Sequence, residues 1–139
     1  MPSSAKKARG RDRKVSRDMA LSLQAERKIH ALETKLSKHY VEQHGRQVDA
    51  DDAGAPPNLM FVPIELTPEL LGHEVVRAML GFVNQGILVY WELGHLGPHV
   101  AGRFKLLSGA ERTIYSPDAN PHDLEQAAIK TMHALREVL

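Results

Sequence analysis

Apolar residues are sparse at the start of the chain and dense toward its end. Residues 1–15 show no hydrophobic period and are interrupted by Gly10, which predicts a disordered arm. Residues 16–45 carry apolar side chains at spacings of three and four, which predicts one long amphipathic helix with Ser16 as its N-cap and Gly45 at its end. The apolar stripe of this helix consists of Leu21, Ala25, Ile29, Leu32, Leu36 and Tyr40.

Residues 46–58 contain Asp, Ala, Gly and a Pro pair without any period, which predicts a linker. Residues 59–139 are predicted to form the folded domain. It opens with a short apolar strand or extended segment, which Pro63 would confine to the edge of a sheet. Thr67 and Pro68 then predict the start of a helix, and Asn120 and Pro121 predict the start of the last one. Between them, β-branched and aromatic runs predict three strands, at 87–93, 103–107 and 111–115.

This order predicts an α+β domain in which two helices cover one face of a three-stranded antiparallel meander. Phe104 falls on the alternating inward face of the second strand, so we expect it in the core. Trp91 and Tyr90 alternate on the first strand, so one ring should face the helices and the other should face away. An outward ring that is shielded would be covered either by a partner or by the long N-terminal helix.

Charge is divided unevenly along the chain. Residues 1–17 hold seven basic residues and one acid, a net charge of +6, whereas residues 51–139 hold six basic residues and eleven acids, a net charge of −5. A short basic arm can bind the phosphates of a nucleic acid whatever its base sequence, and an acidic body would be repelled by them. We therefore expect the arm to bind nucleic acid, with a localisation signal and a solubilising tail as alternatives. The basic residues are Lys6, Lys7, Arg9, Arg11, Arg13, Lys14 and Arg17.

The middle of the domain carries a short motif. Tyr90 is followed after six residues by Gly97-Pro98, and Phe104 lies seven residues after the Gly. Together with the sequence GPHVAGRF and the Ala-containing last helix, this pattern resembles the double-stranded-RNA-binding domain. The resemblance implies a helix–three-strand–helix fold that grips duplex RNA through its first helix, a loop histidine and lysines at the start of its last helix.

Two features depart from that family. The last helix begins with Pro121, His122 and Asp123 where the family has lysines, and His99 lies one residue earlier than the family's histidine. An acidic body without the lysines should bind duplex RNA weakly. Degenerate members of the family commonly serve as protein-interaction or dimerisation modules, which is the role the resemblance implies here.

Other candidate chemistry is limited. His95 and His99 flank the Gly97-Pro98 turn and are loop candidates for a functional contact, but their setting does not favour a metal site. Glu92 and Glu111 could be adjacent carboxylates across strands, yet nothing supplies a nucleophile, a phosphate loop or a matched base. The chain contains no cysteine. We therefore expect no enzymatic activity, no metal and no cofactor.

Together these observations predict a non-catalytic, nucleic-acid-associated accessory or assembly protein with a polyanion-binding arm and a protein-interaction body. The alternatives are a genuine double-stranded-RNA-binding protein and a structural subunit without a nucleic-acid role. The expected partners are RNA or DNA at the arm and a protein, or a second copy of the chain, at the apolar stripe, of which Leu32 and Leu36 are central. No membrane partner is expected, and the expected location is the cytoplasm or a nucleus.

Overall fold

The computed structural model describes residues 2–36, 48–49, 60–117 and 119–139, with side chains described from residue 19 onward, except in 48–49. The described residues form four helices and five strands. They are α1 (Pro2–Leu36), β1 (Val48–Asp49), β2 (Phe61–Pro63), α2 (Pro68–Leu71), α3 (Glu74–Asn84), β3 (Leu88–Leu96), β4 (His99–Leu106), β5 (Glu111–Ser116) and α4 (Leu124–Val138). This content confirms the α+β class.

The strands form one antiparallel sheet in the order β1-β5-β4-β3-β2. The predicted meander is confirmed as β3, β4 and β5, but the expectation of three strands is wrong, because a short strand is added at each edge. β2 lies at one edge, as Pro63 required, and two-residue β1 comes from the predicted linker. Both additions give hydrogen-bond partners to backbone groups of β3 and β5 that would otherwise lie at an open edge.

The β3–β4 connection is tighter than the sequence indicated. Residues 94–99 were expected to form a loop, but β3 continues to Leu96 and β4 starts at His99, which leaves only Gly97 and Pro98 in the turn. Gly97 has a φ of 60°. Pro98 cannot adopt positive φ, so the turn is of the type II′ hairpin class with Gly at its first central position.

The core lies between the sheet and the helices. α4 packs on β3, β4 and β5, α3 packs on β3, and α1 lies against α4 and α3. Phe104 and Trp91 both point to this side, at 0% and 6% exposure, which confirms the inward face predicted for β4. The Trp91 Nε1–H donates to Thr131 Oγ1 of α4 at 3.1 Å, so the indole is fixed against the helix layer.

The N-terminal region differs from its prediction in two ways. α1 begins at Pro2, so the backbone expected to be a disordered arm is helical, and Ser16 is not an N-cap. Ala, Lys and Arg favour helix, and extending an existing helix is far easier than nucleating one, so the single Gly10 does not stop it. α1 ends at Leu36; the remainder of the helix predicted to residue 45 lies outside the described residues. The folded body thus includes part of α1 and β1, not residues 59–139 alone.

Two helix boundaries were also misplaced. The helix predicted from Pro68 is two helices, because Gly72 ends α2 and the imidazole of His73 caps α3 by accepting the Val75 N–H at 3.2 Å. The last helix starts later than Pro121. Its N-cap is Asp123, whose carboxylate accepts the Gln126 N–H at 3.1 Å. Carboxylates are favoured at this position by the helix dipole and the unpaired N–H groups.

Candidate functional site

The predicted phosphate contacts all lie on the N-terminal part of α1. Lys6, Lys7, Arg9, Arg11, Arg13, Lys14 and Arg17 belong to the helix Pro2–Leu36, and their side chains lie outside the described set. At 1.5 Å per residue, the backbone from the first of them to the last spans about 17 Å. Leu21, further along α1, packs on the body.

The apolar stripe of α1 packs on its own chain. Ala25 and Ile29 are buried at 3% and 0% exposure, and Leu21, Leu32 and Leu36 pack against the same core. The sequence analysis predicted that this stripe oligomerises, with Leu32 and Leu36 contacting another chain; in the structure both residues pack against the core of their own chain. α3 and α4 present an apolar surface in the same molecule, which is available without association. Tyr40 lies outside the described residues.

Polar contacts link the described part of α1 to α3 and α4. Lys35 Nζ donates to both carboxylate oxygens of Glu74 on α3, at 2.8 and 3.0 Å. The hydrogen bond and the charge of Lys35 lower the pKa of Glu74. Glu74 is exposed, and Lys35 binds it. The pair is open to solvent, so its contribution to stability is small.

The second polar contact is buried. Glu33 of α1 is only 8% exposed and contacts the Nδ1 atom of His133 and the guanidinium of Arg136, both on α4. The sequence analysis did not single out any of these three residues. The sequence contained only a weak indication of this contact. Glu33 directly follows Leu32 at the margin of the apolar stripe, where a carboxylate needs a polar partner if the helix docks.

The two loop histidines do not form one site. His95 ends up on β3 with its Nε2 3.0 Å from the Pro121 carbonyl oxygen, on the helix side of the sheet. His99 is on β4, on the opposite face, where its ring stacks on Tyr115 with centroids 5.3 Å apart. Among the described residues, no group of three or more His, Cys, Asp or Glu side chains could hold a metal ion.

The start of α4 is acidic. A 290 Å³ cavity there is lined by Glu69 of α2 and by His122, Asp123 and Glu125 at the start of α4. Carboxylates at this place disfavour a phosphate by charge repulsion. The His73 Nε2 atom lies 3.9 Å from Glu125, which ties α3 to the same region.

The outer face of the sheet carries a cross-strand network. Arg103 of β4 lies 4.6 Å from the ring centroid of Phe61 and 5.8 Å from that of Tyr90, and its Nη2 is 3.1 Å from Glu92. Tyr90 donates to Glu111, and burial and this hydrogen bond raise the pKa of Tyr90 to about 12. Tyr90 is thus the outward ring, and neighbouring strands shield it. Glu92 pairs with Arg103 and Glu111 accepts from Tyr90, so the two carboxylates do not form one site.

Comparisons with other proteins add no family assignment. No family model matches the chain, and neither a curated protein nor a solved structure shows significant similarity to it. Within the part of the chain that the structure describes, no helix is both long enough and apolar enough to cross a membrane.

Proposed function

We propose that the protein is a non-catalytic, nucleic-acid-associated accessory or assembly protein. The basic segment, residues 1–17, binds phosphates, and the body contacts another protein. The observation that carries this proposal is the separation of charge: the segment has a net charge of +6, residues 51–139 have −5, and one helix joins the segment to the body. A polyanion is attracted to one end of this molecule and repelled by the other.

The length of the segment supports a duplex as the ligand. The helix backbone from Lys6 to Arg17 spans about 17 Å. Duplex DNA presents one phosphate charge per 1.7 Å of its axis, or about ten charges over that length. A duplex of that length therefore carries more phosphate charges than the segment has cations.

The second candidate is a genuine duplex-RNA binder. It is favoured by the order α3, β3, β4, β5, α4, which is the order of the double-stranded-RNA-binding domain, and by the complete burial of Phe104 and Ala128. We propose that the body has that fold in a degenerate form. Glu69, Asp123 and Glu125 surround the start of α4, where the family places lysines, so phosphate binding by the body is disfavoured.

A salt titration of binding tests the proposal. Fluorescence anisotropy with labelled duplex DNA and duplex RNA of about 20 base pairs, between about 50 and 300 mM salt, should give a steep linear loss of log affinity, with a slope near −0.9 per phosphate contact. Removal of residues 1–17 should abolish measurable binding at about 150 mM salt.

A matched pair of triple variants separates the segment from the body. Arg9, Arg11 and Arg13 changed to Gln should reduce the salt slope by about 2.7, because three contacts are lost. Arg27, Lys28 and Arg77 changed to Gln remove the same charge from exposed positions of the docked part of α1 and of α3, and should change the slope far less.

The remaining outcomes favour other functions. Salt-dependent binding of duplex RNA by residues 18–139 alone would favour the RNA-binding alternative. If the intact chain binds neither duplex even at about 50 mM salt, the remaining alternative is a structural subunit without a nucleic-acid role. Equal effects of the two triple variants would refute a specific role for the segment.

A further inference from the structure

The buried contact between α1 and α4 contains an ionisable group that the proposed function does not use. Glu33 Oε2 meets His133 Nδ1, and Arg136 Nη1 lies 3.2 Å from Glu33 Oε1 in an ion pair without hydrogen-bond geometry. The side chain of Glu33 is 10% exposed and that of His133 is 18% exposed. Both elements of the contact are helices, and α1 has no strand pairing to hold it in place.

The environment of His133 accepts its neutral form and opposes its charged form. Because Nδ1 faces a carboxylate, Nδ1 must carry the proton of the neutral ring, which leaves Nε2 as an unprotonated acceptor. Nε2 is buried and has no hydrogen-bond partner. A second proton would therefore create a buried N–H donor with no acceptor, which is costly.

The charges around His133 act in both directions. Burial lowers the pKa of His133 below its ordinary 6.5, and this is the largest effect. Lys130 and Arg136 on α4 itself lower the pKa further, while Glu33 on α1 raises it. The absence of a hydrogen-bond partner at Nε2 is consistent with the lowered pKa of His133, because the Glu33 carboxylate can accept a proton only from the Nδ1 side of the ring.

We propose that the Glu33–His133 contact is a pH-sensitive latch that holds α1 on the body near neutral pH and weakens as the pH falls below about 6.5. The other polar anchor, Lys35 with Glu74, is exposed and contributes little. Undocking would uncover the stripe that includes Ile29 and Leu32. This inference stands whether or not the basic segment binds nucleic acid.

The direction and limit of the effect follow from linkage. His133 lies on α4. When α1 undocks, water can accept a hydrogen bond from a protonated Nε2, whereas in the docked state Nε2 is buried without an acceptor and burial lowers the pKa of His133. The undocked state therefore binds the second proton more readily. The contribution of His133 to docking is therefore complete above about pH 6.5 and decreases as the pH falls below it. At about pH 5 the ratio of docked to undocked helix can fall by at most about 30-fold, since each pH unit below 6.5 contributes at most tenfold.

Hydrogen exchange of the full chain at about pH 7.5 and pH 5, corrected for the pH dependence of intrinsic exchange, measures docking directly. Peptides covering 25–36 should lose protection by up to about 30-fold, while peptides covering β4 keep theirs. His133→Gln should abolish the change, because Gln retains an N–H donor for Glu33 and does not titrate. His73→Asn, which preserves the α3 cap and removes a different partly buried histidine, should leave the change intact.

Several results would overturn the latch. These are unchanged protection of α1 in the wild type, the same pH dependence in H133Q, its disappearance in H73N, or a parallel loss of protection in β4, which would indicate acid unfolding of the whole domain. An NMR titration of the wild-type His133 ring keeps the test independent of variant folding. A midpoint below 6.5 is expected, and a midpoint at or above 6.5 refutes the proposal.

Discussion

Gly102 of β4 lies directly beneath α4, and replacing it with Ala should destabilise the domain. A Cβ atom built at Gly102 would lie 2.4 Å from Thr131 Cγ2 and 3.2 Å from Leu93 Cδ2. Non-bonded carbon atoms prefer separations of about 3.5–4.0 Å, so either the helix or the Thr131 side chain has to move. The backbone φ of Gly102 is not positive, so the penalty comes from the contact and not from the conformation of the main chain.

Thr131 cannot rotate away without losing hydrogen bonds. Its Oγ1 accepts from Trp91 Nε1 at 3.1 Å and lies 2.9 Å from the carbonyl oxygens of Ala127 and Ala128, to one of which it donates. Rotation about χ1 would leave the indole N–H of Trp91 buried without a partner. We therefore expect overpacking to be relieved by a shift of α4, at a loss of about 1–3 kcal/mol in the free energy of unfolding.

Urea unfolding followed by the fluorescence of Trp91, the single tryptophan, measures this loss. Gly81→Ala is the matched control: nothing lies within 4 Å of its added Cβ, and Gly81 is inside α3, so this variant should gain about 0.5–1 kcal/mol. Thr131→Ser removes Cγ2 but keeps the hydroxyl, so it should recover much of the loss in the Gly102→Ala background.

The reasoning fails if Gly102→Ala lies within about 0.5 kcal/mol of the wild type. It also fails if Thr131→Ser is equally destabilising in both backgrounds, because the coupling between the two positions is the signature of their contact.

Two further predictions test α1 and the outer sheet face. Ile29→Ala should lower the free energy of unfolding by about 2–5 kcal/mol, whereas Leu23→Ala on the exposed side of the same helix should change it by less than about 0.5 kcal/mol; equal effects measured by urea unfolding would mean that α1 is not docked as described. Absorbance titration of tyrosinate should show one residue with a pKa of about 12, which Tyr90→Phe removes. Because the folded-state pKa of Tyr90 lies above the ordinary 10.0, this contribution to stability is complete below pH 10 and is lost as the pH rises toward 12; a normal titration of all tyrosines would refute the Tyr90–Glu111 contact.

Those parts of the fold that depend on local periodicity were predictable from the amino-acid sequence. Alternation placed Phe104 in the core, β-branched runs located β3, β4 and β5, and Pro63 marked an edge strand. The strand predictions succeed because successive side chains of a strand point to opposite faces of the sheet, so residues two positions apart share a face. The separation of charge is likewise readable from the sequence, because formal charge does not depend on the fold.

The docking position of the amphipathic helix and the pairing of charged side chains depend on tertiary packing. The stripe around Ile29 required burial, but its period is the same whether the covering surface is α4 of the same chain or a second copy. Glu33 and His133 are far apart along the chain, and each is an ordinary polar position in its own helix. Their contact exists only because both helices pack together, and a helical period specifies which face is buried without specifying what buries it.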